Sequence, residues 1–141
     1  MAALTGTRNT TRLGGFGPIV SQNEYPVAAG VICYQGAMLS FKAGVVRPAI
    51  TETGAQGVGE CERFVDNSLG AAGAKVVIAR EGAWGYVNSP AGGDRVDTIG
   101  VDCYMVDDQT VAKTNGGATR SVAGKVVKLD GDVVYVDLVR P

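Results

Sequence analysis

The chain contains no histidine, one tryptophan, three cysteines and no run of basic residues. Without histidine it lacks the commonest general base, the usual partner of a serine or cysteine nucleophile, and the commonest metal ligand. Three cysteines, Cys33, Cys61 and Cys103, are odd in number and far apart, each in or beside an apolar run. That usage predicts small buried hydrophobes, since a redox or metal role calls for paired spacing or a histidine. A net charge of −1 without clustered Lys or Arg argues against nucleic acid as a partner. No apolar stretch approaches the roughly 20 residues that span a bilayer, so no membrane partner is expected. The first residues lack the continuous apolar core of a signal peptide, which predicts a protein assembled in a cytoplasm.

What is abundant is glycine, 21 residues of 141, set among short apolar runs. The richest stretch is Val101 to Leu138, where Cys103–Val106, Thr110–Ala112, Ser121–Leu129 and Val133–Leu138 are separated by Asp107-Asp108, Asn115-Gly116-Gly117 and Asp130-Gly131-Asp132. Asp-Gly between β-branched runs predicts a hairpin, because Gly supplies the positive φ of a tight turn. In its last strand Val134, Val136 and Leu138 share the apolar parity and are expected to face inward.

Upstream, strands are expected over Val31–Tyr34, Ala37–Phe41, Val45–Arg47 and Gln56–Phe64, with a bend at Gly36. A second hairpin, Lys75–Ala79 with Ala83–Val87, is expected to turn at Glu81-Gly82. Asp66–Gly73 and Asn88–Arg95 read as loops, and Val96–Gly100 as one short helical turn. These signals predict an all-β fold, a small β-barrel or β-sandwich of about eight or nine short strands, over residues 26–141. Residues 1–25 hold neither a helical nor a strand period and read as an extended N-terminal arm.

Candidate chemistry is sparse. The Gly-rich segments open no helix, which argues against a nucleotide site, and no cofactor is implied. Asp107-Asp108 is the sharpest candidate for acid–base or cation chemistry, yet Asp is favoured in turns for its backbone hydrogen bonds. Trp84, in a hairpin with Tyr86, reads as a core or subunit-interface anchor.

The order of Arg8-Asn9-Thr10, Ala29-Gly30, Tyr34-Gln35-Gly36-Ala37, Asp66-Asn67, Cys103 to Thr114 and Thr119 to Gly124 with a closing Val-rich hairpin resembles the capsid cement (head decoration) proteins of tailed bacteriophages. The resemblance spans nearly the whole chain. It implies a non-enzymatic virion protein that binds the major capsid protein on the outer surface of the head and bridges neighbouring subunits. It also implies a homo-oligomer, with a trimer favoured. On this reading Arg8, Asn9, Thr10, Arg12, Leu13 and Phe16 of the arm contact the capsid, and Trp84 and Tyr86 serve the oligomer interface. The alternative from another class is a small β-barrel carbohydrate-binding module or enzyme, with Tyr104, Tyr135, Trp84 and loop aspartates forming its site.

Overall fold

A computed structural model describes residues 2–11, 22–90 and 92–138. The described residues form an all-β fold of twelve strands without helix: β1 (Gln22–Pro26), β2 (Ile32–Cys33), β3 (Met38–Lys42), β4 (Val45–Pro48), β5 (Gln56–Cys61), β6 (Val65–Asp66), β7 (Val76–Arg80), β8 (Gly82–Asn88), β9 (Asp102–Met105), β10 (Thr110–Ala112), β11 (Val122–Asp130) and β12 (Val133–Leu138). The count exceeds the expected eight or nine: β1 forms within the segment read as an arm, and β6 forms after Phe64, where no strand is expected. β5 ends at Cys61, and β6 leaves to pair with β2.

The C-terminal half closes into a five-stranded barrel ordered β10-β8-β12-β11-β9. Its β11–β12 hairpin turns at Gly131 (φ 59°), and Val134, Val136 and Leu138 are fully buried, as their parity predicts. The N-terminal half is a five-stranded sheet ordered β1-β7-β5-β3-β4. It curls until Val27, just beyond β1, bridges Val46 of β4, and Ala28 N donates to Val46 O at 2.9 Å. The two halves carry separate apolar cores, but Met38 of β3 and Ala49 belong to the barrel's core and sew the halves together. At the same seam Gly57 lies so close to Ala123 that a Cβ would stand 2.5 Å from its carbonyl oxygen.

Three expectations are corrected. β7 and β8 are consecutive but do not pair. β7 lies between β1 and β5, and β8 between β10 and β12, so Glu81 is a crossing from one sheet to the other. Both edges of each strand are taken by partners distant in sequence. Val96–Gly100 is not helical, because the Asn88 side chain takes both backbone polar groups of Val96: Val96 N donates to Asn88 Oδ1, and Asn88 Nδ2 donates to Val96 O, both at 2.9 Å. The segment read as an arm ends in structure. Gln22 to Pro26 form β1, antiparallel to β7 from Gln22↔Arg80 to Pro26↔Val76, where pairing with β7 supplies the order that local periodicity did not announce.

Candidate functional site

Residues 2–11 lie as a strap across the join between the two halves, fastened at five places. Gln109 Nε2 donates to Ala2 O at 2.7 Å, and Leu4 N donates to Asp108 Oδ1 at 2.7 Å. Arg8 N donates to Gln35 O at 2.9 Å, Thr10 Oγ1 to Gly36 O at 2.6 Å, and Gly85 N to Thr11 O at 2.7 Å. Gly36 makes this approach possible. Its φ is +91°, and a Cβ would fall 2.0 Å from Arg8 O.

The strap delivers a charge to a buried polar cluster. Arg8 Nη1 donates to Thr10 Oγ1 at 2.7 Å and to Gly85 O at 2.9 Å, and the guanidinium lies 5.2 Å from the centre of the Tyr86 ring. Tyr86 is fully buried, and its hydroxyl has no hydrogen-bond partner among the described residues. On the far side Glu60 accepts from Arg80 Nε at 2.9 Å and Nη2 at 3.1 Å, and Arg80 in turn lies 4.8 Å from the Trp84 ring centre. Burial pushes the Glu60 carboxyl up to about 7 despite the attraction of Arg80, with Glu62 adding to the rise and Arg8 opposing it. Burial likewise raises Asp108 to about 6, opposed by the Leu4 N–H and reinforced by the Asp107 charge.

The two neighbouring aspartates therefore divide their work. Asp107 Oδ1 accepts from Gln109 N at 3.0 Å, a turn-forming bond of the kind expected. Asp108 holds Leu4 through its side chain and Met38 N through its carbonyl at 2.8 Å.

The predicted site residues disperse. Arg8 and Thr10 spend their polar groups inside their own chain, and of that triplet only Asn9 is exposed. Arg12, Leu13 and Phe16 lie outside the described residues. Trp84 (3% exposed) and Tyr86 (0%) are core residues of the barrel and offer no outer face to another subunit. Their aromatic area is consumed by the barrel itself, which needs it to fill its interior. Of the aromatics considered for a sugar platform, Tyr104 lines an open cleft of about 390 Å³, with Asp97, Thr98, Asp102 and Lys113 among its walls. Cys33, Cys61 and Cys103 are free thiols, all buried.

Sequence reasoning passed over Glu60 and Arg80. Their signal is a charged residue on the inward parity of β5 and its cross-strand partner, readable only once the β5–β7 register is known. No family model matches the chain, and no curated protein or solved structure is significantly similar to it.

Proposed function

We propose that this chain is a decoration protein of a tailed bacteriophage, bound to the outer surface of the assembled head and bridging neighbouring major capsid subunits. The observation that carries the reading is convergence. Arg8-Thr10, Gln35-Gly36 and Asp108-Gln109, three separated stretches of the motif order that resembles cement proteins, meet at the strap. Residues distant in sequence thus act as one framework, and what they build is a clamp.

The chemistry of the join suits a static role. Its two carboxyls of raised pKa are each 2% exposed and engaged, Glu60 by Arg80 and Asp108 by the Leu4 N–H. On a head, many copies each burying a modest area add their contributions against the pressure of packed DNA. Contact falls to the outward surface, including Asn9 and the exposed positions Thr5 to Thr7 of the strap.

The test is co-sedimentation with heads that lack the protein, combined with the temperature at which those heads rupture. Saturable binding and a higher rupture temperature are expected. No binding at any concentration sinks the reading. The Tyr104 cleft supports the alternative of a carbohydrate-binding module; a sugar that raises the melting temperature, and loses that effect in Tyr104→Ala, would favour it.

A further inference from the structure

Phe64, Leu69 and Val76 stand 51%, 102% and 49% exposed, in a molecule whose other apolar side chains largely fill two cores. They belong to one face. Phe64 and Val76 share an open groove with Asp66, Ala74 and Lys75, and the same three residues line the adjoining hollow beneath Leu69. Phe64 is backed by the Tyr34 ring, 5.7 Å between centroids.

The loop presenting Leu69 is built rather than slack. Asn67, 1% exposed, donates its Nδ2 to Ala28 O at 2.9 Å and to Ala71 O at 3.1 Å, while its backbone N donates to Val31 O at 2.9 Å. Ser68 N donates to Asp66 Oδ1 at 2.9 Å, and Lys75 Nζ donates to Asp66 O at 2.6 Å. Gly70 presses on Asn67 so closely that a Cβ would lie 2.0 Å from its Oδ1. A frame this fixed holds the leucine outward, where a loose loop would let it fold back onto the sheet. An apolar cluster with a polar rim marks a docking face.

The rim selects the occupant. It carries one charge of each sign, Asp66 and Lys75, both lining the groove and the adjoining hollow. A polyanion or an anionic lipid surface selects a rim of one positive sign. A balanced rim around an apolar centre is complementary to itself: rotation of a second molecule sets Lys75 against Asp66 while apolar meets apolar. We propose that this face, centred on Phe64, Leu69 and Val76, is where copies of the chain meet. The inference concerns a two-fold contact between copies, distinct from the trimer that the decoration reading favours, and it needs no capsid.

The test is mass in solution by light scattering over a hundredfold range of concentration. The variants are Leu69→Asp, Phe64→Asp/Leu69→Asp and, on the barrel half, Ile99→Asp, a residue also more than half exposed. Wild type and Ile99→Asp are expected to associate, with both face variants shifted to monomer and Leu69→Asp melting where wild type diluted to monomer melts. Leu69→Asp guards against misfolding, since a fully exposed side chain contributes nothing to the core. A monomeric wild type throughout, or face variants that keep the wild-type mass, overturns the proposal. Face variants that keep their mass but no longer sediment with heads also overturn it, by assigning the face to the capsid. Intact self-association without head binding would sink the decoration reading and leave this one standing.

Discussion

The two halves of the molecule solve the same problem differently. The C-terminal barrel closes strand by strand, and its interior is filled by large side chains, Trp84, Tyr86 and Met105 among them. The N-terminal sheet has a core of Val, Ala, Cys and one Leu, and it is drawn round by the Val27–Val46 bridge. A closed barrel has no edges to protect, whereas a curled sheet must find something to cover its ends. The Val27–Val46 bridge draws the β1 and β4 edges together, the strap lies over the join between the halves, and the Glu60–Arg80 pair ties the interior strands β5 and β7. The difference teaches that the barrel is held mainly by volume and the sheet by volume plus a specific charge arrangement.

The largest expected effect breaks the barrel. Trp84→Ala removes the core's bulkiest side chain and the ring beneath Arg80, and is expected to cost about 3–5 kcal/mol in denaturant unfolding; Leu39→Ala in the sheet should cost about 2–5 kcal/mol. Because Met38 of the sheet sits in the barrel's core, both variants should retain a single transition. Two separate transitions in either would show that the halves unfold independently.

The next effect is pH, and it sharpens the contrast because it acts only at the polar join. Glu60 and Asp108 have folded-state pKa values of about 7 and about 6, above their unfolded values. A raised carboxyl gives stability that is complete below its unfolded pKa and is lost as pH rises through its folded pKa. Unfolding free energy is therefore expected to fall by about 2–4 kcal/mol between pH 5 and pH 8. Asp66, Asp94 and Asp97, whose pKa values are lowered by hydrogen bonds from Ser68, Thr114 and Lys113 respectively, act at more acid pH and leave this window alone. A flat or rising profile across the window would mean that both carboxyls are ionised without penalty.

The strap can be tested against a matched turn. Gly36→Ala meets Arg8 O and also a positive φ, whereas Gly44→Ala meets only a positive φ, with nothing within 4 Å of its Cβ. Gly36→Ala is expected to cost about 1–3 kcal/mol and to speed amide exchange at Leu4 and Arg8. Gly44→Ala should cost less and leave those amides protected. Equal exchange in the two variants would show that the strap is not seated on Gly36.

The barrel was the legible half. Asp130-Gly131-Asp132, the Val133–Leu138 alternation and the all-β class follow from local turn chemistry and a period of two, and the structure has them. β3–β4 was legible for the same reason, with Ala43 and Gly44 both at positive φ in its turn. The curled sheet was not, because β7 pairs on both sides with strands distant in the chain, Gln22 to Arg80 and Cys61 to Ala79, and no local signal encodes a partner that far away. Lys75 to Val87 misled for a related reason: two good strands across a Glu-Gly turn read as a hairpin, yet each had better partners elsewhere. Trp84 and Tyr86 were visible as anchors, but sequence alone did not say that the chain's own barrel would use them up. Glu60 gave no local signal at all.

The smallest effect separates the two adjacent aspartates. Asn at position 107 keeps an acceptor for the Gln109 N–H, so Asp107→Asn should change stability by less than about 0.5 kcal/mol and flatten the pH profile only slightly, by removing the charge that adds to the rise of Asp108. Asp108→Asn acts differently because the native carboxyl is buried and reluctant to ionise. The amide oxygen still accepts from Leu4 N, but no charge forms as pH rises. At pH 5, where Asp108 is largely protonated, this variant should match wild type within about 1 kcal/mol; at pH 8 it should be as stable or more so. Its profile should therefore be flatter than that of wild type, with the remaining slope belonging to Glu60. Parallel profiles for wild type and Asp108→Asn would show that Asp108 titrates in the folded molecule as it does in the unfolded chain, and that the join draws its pH response from Glu60 alone.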